Sequence, residues 1–249
     1  MIYVTGDCHG NFRKFNAVDF EEQREMTRDD YVIICGDFGA VWNGSEDENA
    51  KLDWLNDRSF TTLWVDGNHE NFDMLKEFPV EEWHGGKVHR IRPNILHLMR
   101  GQLFDINGFI FFTMGGAASH DIQDGILDPE DPFFEKKYQW FCRDNRMFRV
   151  KGISWWPEEL PSDEEYEEAL ATLEQANWKV DYVISHCPPS HIVKMLGAGL
   201  EVNRLTEFFE NISQKLDFRY WFFGHYHEDG YILGEEKYVI LYRDIMRIR

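Results

Sequence analysis

Basic charge is what this 249-residue sequence has least of: 26 Lys+Arg stand against 45 Asp+Glu, a formal net charge of −19. Such a surface repels phosphate backbones and anionic lipid at long range, which argues against general nucleic-acid or membrane-surface binding unless a local patch or a metal reverses the sign. Cysteine is scarce as well. Cys8, Cys35, Cys142 and Cys187 are widely spaced with no Cys-x-x-Cys pair, so there is no disulfide framework, and the thiols read as reduced in a cytoplasmic protein. No apolar run approaches the roughly 18 residues of a membrane helix. The start, Met1-Ile2-Tyr3-Val4, turns polar too soon for a signal peptide. Linker-like Pro/Gly/Ser stretches and internal repeats are missing, so residues 1–249 read as one domain, far above the size that needs covalent staples. Composition sets no oligomeric state.

What is abundant is core material, with 43% hydrophobic and 16% aromatic residues. Five short apolar runs end abruptly in polar motifs. Ile2-Tyr3-Val4 leads to Gly6-Asp7-Cys8-His9-Gly10, and Tyr31 to Cys35 leads to Gly36-Asp37. Leu63-Trp64-Val65 leads to Asp66-Gly67-Asn68-His69-Glu70, Tyr182 to Ser185 leads to His186, and Tyr220 to Phe223 leads to Gly224-His225-Tyr226-His227. β-Branched and aromatic runs without alternation predict strands buried on both faces.

Helical periodicity separates some of these runs. Ser162 and Glu165 form a capping box, followed by an apolar face of Tyr166, Ala169, Leu170 and Leu173. Leu205, Phe208, Phe209, Ile212 and Leu216 repeat the spacing. Strand, helix, strand order predicts an α/β fold with much parallel pairing. Two regions read as antiparallel: Lys87 to Gly116, broken at Arg100-Gly101 and turned at Asn107-Gly108, and the hairpin from Tyr231 to Leu241.

In an open α/β sheet, ligands bind beyond the carboxyl ends of the strands. The five strand ends here carry Asp7 and His9, Asp37, Asn68 and His69, His186, and His225 with His227. Residues two apart in extended chain point to one side, so Asp7 can converge with His9, and His225 with His227. Carboxylate, imidazole and amide donors together suit manganese, iron or zinc better than a thiolate structural site would. Seven candidate ligands exceed the needs of a single ion with an open position, and two ions about 3.5–4 Å apart fit the count.

The ordered series Gly-Asp-x-His-Gly, Gly-Asp, Gly-Asn-His-Glu, strand-end His and Gly-His-x-His, running from residue 6 to residue 227, resembles the calcineurin-like metallophosphoesterase superfamily. That resemblance implies a β-sandwich of two mixed sheets flanked by helices. It implies that Asp7, His9, Asp37 and His227 hold one divalent ion, and that Asp37, Asn68, His186 and His225 hold a second, with Asp37 bridging. His69 would be the acid serving the leaving group, Asn68 would also bind phosphoryl oxygen, and a metal-bridging hydroxide would attack a phosphate mono- or diester. The Gly-His-x-His ending is similar to the phosphodiesterase and small-phosphatase branches. The protein Ser/Thr phosphatase pattern at the second motif is not followed, since Gly36-Asp37-Phe38-Gly39-Ala40-Val41-Trp42 lacks the phosphate-gripping arginine. The acid that would orient His69 is not evident either, with Asp66 and Glu70 both near. No family motif falls within residues 79–180.

Two other readings remain. A catalytically silent interaction module on the same fold is disfavoured by the intact set of ligand types. A nuclease would need a basic strip, for which only the small cluster Arg143, Arg146, Arg149 and Lys151 is on offer. Met114 to Asp121 reads equally as a wall of the substrate cleft or as a solvated glycine turn. Trp155-Trp156-Pro157 reads as ordinary packing in preference to a lid, and Glu158 to Glu168 as a solvated helix start. His84, His89, His97, His191 and the cysteines are given no role.

Overall fold

A computed structural model describes all 249 residues. In chain order the first half contributes strands β1 (Ile2–Thr5), β2 (Tyr31–Ile34), β3 (Thr61–Trp64), β4 (Val80–Trp83), β5 (Gly86–Arg92) and β6 (Ile95–Leu98), with helices α1 (Glu46–Asn56) and α2 (Phe72–Leu75). Strands β7 (Gln102–Ile106) and β8 (Phe109–Met114) follow. Next comes an arm of β9 (Gly125–Leu127), α3 (Phe134–Arg143) and β10 (Phe148–Val150). The last part holds α4 (Asp163–Gln175), β11 (Tyr182–Ser185), α5 (Ser190–Leu196), α6 (Arg204–Ser213), β12 (Tyr220–Phe223), β13 (Gly230–Ile232), β14 (Glu235–Ile240) and β15 (Ile245–Arg247).

Thirteen of the strands form two mixed sheets, and β9 and β10 pair in parallel as a separate ribbon. One is ordered β15-β1-β2-β3-β6-β5-β4 and the other β13-β14-β12-β11-β8-β7. Each has four parallel strands at its centre, β1-β2-β3-β6 and β8-β11-β12-β14, with antiparallel strands only outside them. Parallel strands are covered on both faces, and the packing meets that requirement. Ile33, Leu63 and Leu96 of the first sheet meet Phe111, Ile184 and Phe222 of the second in a shared inner core. On the outer face of the first sheet Val32, Ile34 and Trp64 pack under Leu52 and Leu55 of α1. On that of the second, Val183, Trp221 and Phe223 pack under Leu173 of α4 and Phe209 of α6. The result is helix, sheet, sheet, helix.

Two local expectations are corrected and a third is refined. Leu170 is exposed, and the buried face of α4 is Tyr166, Ala169 and Leu173. Ala169 lies so close to Gly101 that a Cβ there would sit 3.0 Å from its backbone nitrogen, so the helix rests on its small residue and Leu170 falls to the flank. Residues 87–116 pair antiparallel as read, β5 with β6 and β7 with β8, but the two pairs lie in different sheets. β5 and β6 belong to the first sheet, β7 and β8 to the second, and Arg100-Gly101 is the crossing between them. Asn107 and Gly108 do turn β7 into β8, with φ of 55° and 79° as a type I′ hairpin requires. The acidic run is not all solvated, because the helix starts only at Asp163 while Glu159, in the short 3₁₀ turn before it, is buried.

The crossing carries a buried ion pair. Arg100 donates to Asp66 Oδ2 through both Nε (2.9 Å) and Nη2, to Glu165 of α4 through Nη1 (3.1 Å), and to the Glu158 carbonyl. His97 Nε2 lies 3.1 Å from the other Asp66 oxygen. The Arg100 guanidinium, with His97, holds the Asp66 carboxyl below the usual carboxylate range against the opposing effect of burial. This network ties the loop after β3 to both sheets and to α4. Arg100→Met should therefore destabilise the fold by about 3–5 kcal/mol, because it leaves a buried carboxylate unpaired. Asp66→Asn in that background should recover part of the loss in a denaturant unfolding series.

Candidate metal centre

The parallel strands of both sheets direct their carboxyl ends to the same edge, and the loops that follow them meet there. Convergence does not come from strand alternation, as the two-residue spacing suggested. β1 ends at Thr5 and β12 at Phe223, and His9, Asp37, His225 and His227 each take left-handed backbone, with φ of 47°, 46°, 72° and 55°. Left-handed conformations cost non-glycine residues roughly 1–2 kcal/mol each and persist only where the surroundings impose them. The turns send His225 toward His186, with ring centroids 4.9 Å apart, and His227 toward Asp7 and His9.

Asp7 and Asp37 are almost fully buried. Each has its Oδ1 fixed by the backbone amide of a distant loop: His225 N–H donates to Asp7 (3.0 Å) and His69 N–H donates to Asp37 (2.8 Å). Gly224 and Gly67, which precede those loops' functional residues, allow this approach. A Cβ on either would lie 2.2 Å from Asp7 Oδ1 or 2.1 Å from Asp37 Oδ1. Lys14 secures the first loop from behind, donating to the carbonyls of Gly6, Asp7 and Tyr242 and to Thr5 Oγ1. Glu70, fully buried, accepts from the amides of Phe38 and Gly39 and so clamps the second loop.

Around the remaining carboxylate oxygens the imidazoles gather. His227 Nε2 is 3.1 Å from Asp7 Oδ2, His9 Nε2 is 3.7 Å from Asp7 Oδ2 and 3.8 Å from Asp37 Oδ2, and His186 Nε2 is 3.3 Å from Asp37 Oδ1. His186 is buried and held through Nδ1 by the Cys35 carbonyl (2.7 Å), which leaves Nε2 facing the centre. Donor atoms fall into three groups with all members within 4.8 Å: Asp7, His9 and His227; His9, Asp37 and His69; and Asp7, Asp37 and His186. His225 joins none of these triplets, and Asn68 contributes a buried side chain whose Nδ2 donates to Ser119 Oγ (3.3 Å).

The donor set fits divalent cations. Asp7 Oδ2, Asn68 Oδ1 and His186 Nε2 are buried without any hydrogen-bond partner, and buried polar atoms are rarely left so. Burial alone would keep His186 neutral, yet Asp37 and Asp7 push its pKa up to about 10, so the local field favours a cation at that point. His9 and His227 bring their Nε2 atoms within 3.0 Å, a hydrogen-bond distance, beside Asp7. Carboxylate, imidazole and amide are the donors that manganese, iron and zinc accept.

The structure adds one feature the sequence did not show and decides others it left open. Arg149 of β10 reaches the site, with Nη2 3.3 Å from His69 Nε2, so an arginine is present although the second motif lacks one. Neither Asp66 nor Glu70 orients His69, since Asp66 is taken by Arg100 and Glu70 by backbone amides. Residues 114–121 do wall the cleft: Ser119 meets Asn68, the His120 ring lies tilted 4.4 Å from that of His225, and Asp121 pairs with Arg149. The basic cluster is dispersed, with Arg143, Arg146, Arg149 and Lys151 paired to Asp144, Asp124, Asp121 and Asp128. Trp156 packs against Trp42 and donates to Asp73, as ordinary packing would have it. Beside His9 a groove of ≈ 710 Å³ opens, lined by Asn11, Arg13, Asp47, Lys51 and Trp54 among others.

Glu159 lies beneath this wall. One oxygen accepts the Ser119 amide (3.1 Å), the other has no partner, and burial pushes its pKa up to about 8. Between pH 4.5 and 8 the unfolded chain has lost this proton while the folded one retains it, so stability falls as pH rises through that window. Glu159→Gln should remove the fall, stabilising the protein at pH 8 by roughly 1–3 kcal/mol relative to its effect at pH 5. Thermal unfolding at the two pH values checks it.

A profile of the calcineurin-like phosphoesterase family matches residues 1–229. The lariat debranching enzyme A of Xenopus laevis is 27% identical over 171 residues, covering 61% of this chain and 30% of its own length. The lariat debranching enzyme of Drosophila melanogaster is 22% identical over 255 aligned residues, covering 91% of this chain and 42% of its own length. That of Homo sapiens is 26% identical over 143 residues, covering 51% and 25%. The chain thus spans less than half the length of these curated relatives. With the family profile extending over all five motif-bearing strand ends, the chain belongs to the calcineurin-like phosphoesterases, metal-dependent hydrolases acting on phosphoester bonds.

Proposed function

We propose that this chain hydrolyses phosphate esters at a dinuclear centre, with Asp7, His9, Asp37 and His227 holding one divalent ion and Asp37, Asn68, His186 and His225 the other. The observation that carries this reading is the meeting of these side chains at one edge, with three buried donor atoms left without a hydrogen-bond partner. Bound there, manganese, iron or zinc would lower the pKa of water from 15.7 toward about 7 and offset phosphoryl charge. The core shared by both sheets supports treating residues 1–249 as one domain.

The chain's own residues supply the remainder. Asp37, pinned through Oδ1 by the His69 amide, has Oδ2 turned to His9 and stands between the two ligand groups. Asn68 offers a carbonyl oxygen inward while its amide group is held by Ser119. His69 is half-buried at the rim. Burial, with Arg149 beside it, keeps its pKa below the usual imidazole value although Asp37 pulls the other way. A ring N–H there can support the departing oxygen as charge develops. The groove beside His9 gives room for a substituent on the phosphoryl group. The names of the debranching enzymes it resembles are consistent with a diester. A nuclease that tracks a nucleic-acid backbone finds less support, because every residue of the basic cluster at 143–151 is paired with an aspartate.

Asp37→Asn should strip metal and cut kcat/KM by more than the roughly 10–100-fold that outer partners of a metal site cost. Metal analysis alongside turnover of an aryl diester checks it, and full occupancy with retained turnover would refute the shared role. His69→Ala should slow esters with poor leaving groups by roughly 10²–10⁴-fold while sparing those with good ones and leaving metal content unchanged. Equal slowing across a leaving-group series would remove His69 from that role.

A further inference from the structure

Arg149 stands outside every family motif, on the short strand β10 of the arm, yet its guanidinium ends at the site. A guanidinium has five N–H donors. Three are engaged by the arm itself: Nε with Asp121 Oδ1 (2.7 Å), Nη2 with Asp121 Oδ2 (2.7 Å) and Nη1 with the Ser154 carbonyl (2.9 Å). One N–H on each Nη remains, and those two nitrogens lie 3.3–3.5 Å from the His69 ring. The same His69 ring lies within 4.8 Å of donor atoms of His9 and Asp37.

A neutral imidazole offers one acceptor at most, so at least one of the two free N–H groups has no protein partner. The Arg149 side chain is only 10% exposed, and a donor in so dry a place calls for an acceptor. A strut between β10 and the loop at Asp121 would need only the three engaged donors. The two left over lie against His69, whose ring nitrogen is close to the donor atoms of His9 and Asp37. A planar fork held at its back by a carboxylate is the arrangement that grips phosphate bidentately.

We propose that Arg149 binds a non-bridging oxygen of the substrate's phosphoryl group, and that Asp121 is the positioning residue that aims its guanidinium. This assignment rests on the phosphoesterase reading above. It gives the arm a part in substrate binding, and it replaces from a different strand the arginine that the second motif lacks.

The probe is inorganic phosphate titrated calorimetrically into the manganese-loaded protein, with KM for an aryl diester, metal content and unfolding temperature measured in parallel. Arg149→Met should weaken phosphate binding by roughly 10–100-fold, the loss expected of a charge-assisted fork, and raise KM with metal content unchanged. Arg149→Lys keeps the charge without the fork and should recover only part of that loss. Asp121→Asn should cost less than Arg149→Met, and nothing further once Arg149 is gone. Phosphate affinity and KM within twofold of wild type in a folded, metal-replete Arg149→Met would overturn the inference. So would unchanged affinity in both Arg149→Lys and Asp121→Asn if the methionine variant fails to fold, or a wild-type protein that binds no phosphate. A wild-type protein that binds phosphate but hydrolyses neither aryl monoester nor aryl diester would instead sink the phosphoesterase reading, and the affinity series would still decide the role of Arg149.

Discussion

Two buried carboxylates set the terms for this molecule. Asp7 and Asp37 are 3% and 2% exposed, and removing an ionised carboxylate from water costs several kcal/mol even after relaxation. Each is partly compensated by one amide of a distant loop, which binds residue 7 to the segment at 225 and residue 37 to the segment at 69. Those contacts form only if Gly224 and Gly67 bring backbone against carboxylate. They in turn hold four functional residues in left-handed backbone. What the amides leave uncompensated is a concentrated negative field ringed by imidazole nitrogens, which is a demand for cations.

The sandwich exists to hold those loops in register. Its eight central strands are parallel and covered on both faces, so their ends are fixed by packing on three layers of apolar side chains. Rigid supports lie directly behind the site. Lys14 ties three loop carbonyls together, Glu70 clamps the loop at Asp37, and the Arg100–Asp66 pair anchors the loop at Asn68 to both sheets. Electrostatic stabilisation of a developing charge works best when its donors are already in place, and this scaffold keeps them there.

The arm is built differently. No residue of α3 is buried, and Phe133, Trp140 and Ile153 are exposed, so the arm rests on local pairs and not on the core. Aspartates of the arm itself or of the loop before it pair with Arg143, Arg146, Arg149 and Lys151 one by one. Arg149 is the member of that series whose remaining donors look into the site, which makes the arm the natural place for substrate preference to vary while the centre stays fixed.

Unbroken apolar runs ending in Gly-Asp, Gly-Asn-His or Gly-His were enough to read the doubly covered strands and the seven candidate ligand positions from the sequence, because strand period and turn chemistry are local properties. The hairpin at Asn107-Gly108 was legible for the same reason: both residues tolerate positive φ. Tertiary structure alone decided the rest. That Leu170 is exposed depends on Ala169 seating against Gly101, and that Glu159 is buried depends on a loop forty residues away. That Arg149 faces His69 while Arg146 faces Asp124 depends on how two short strands pair. A side chain's chemistry is written in its own letter, but what it faces is set by chain segments remote in sequence, whose approach is fixed only when the whole core closes.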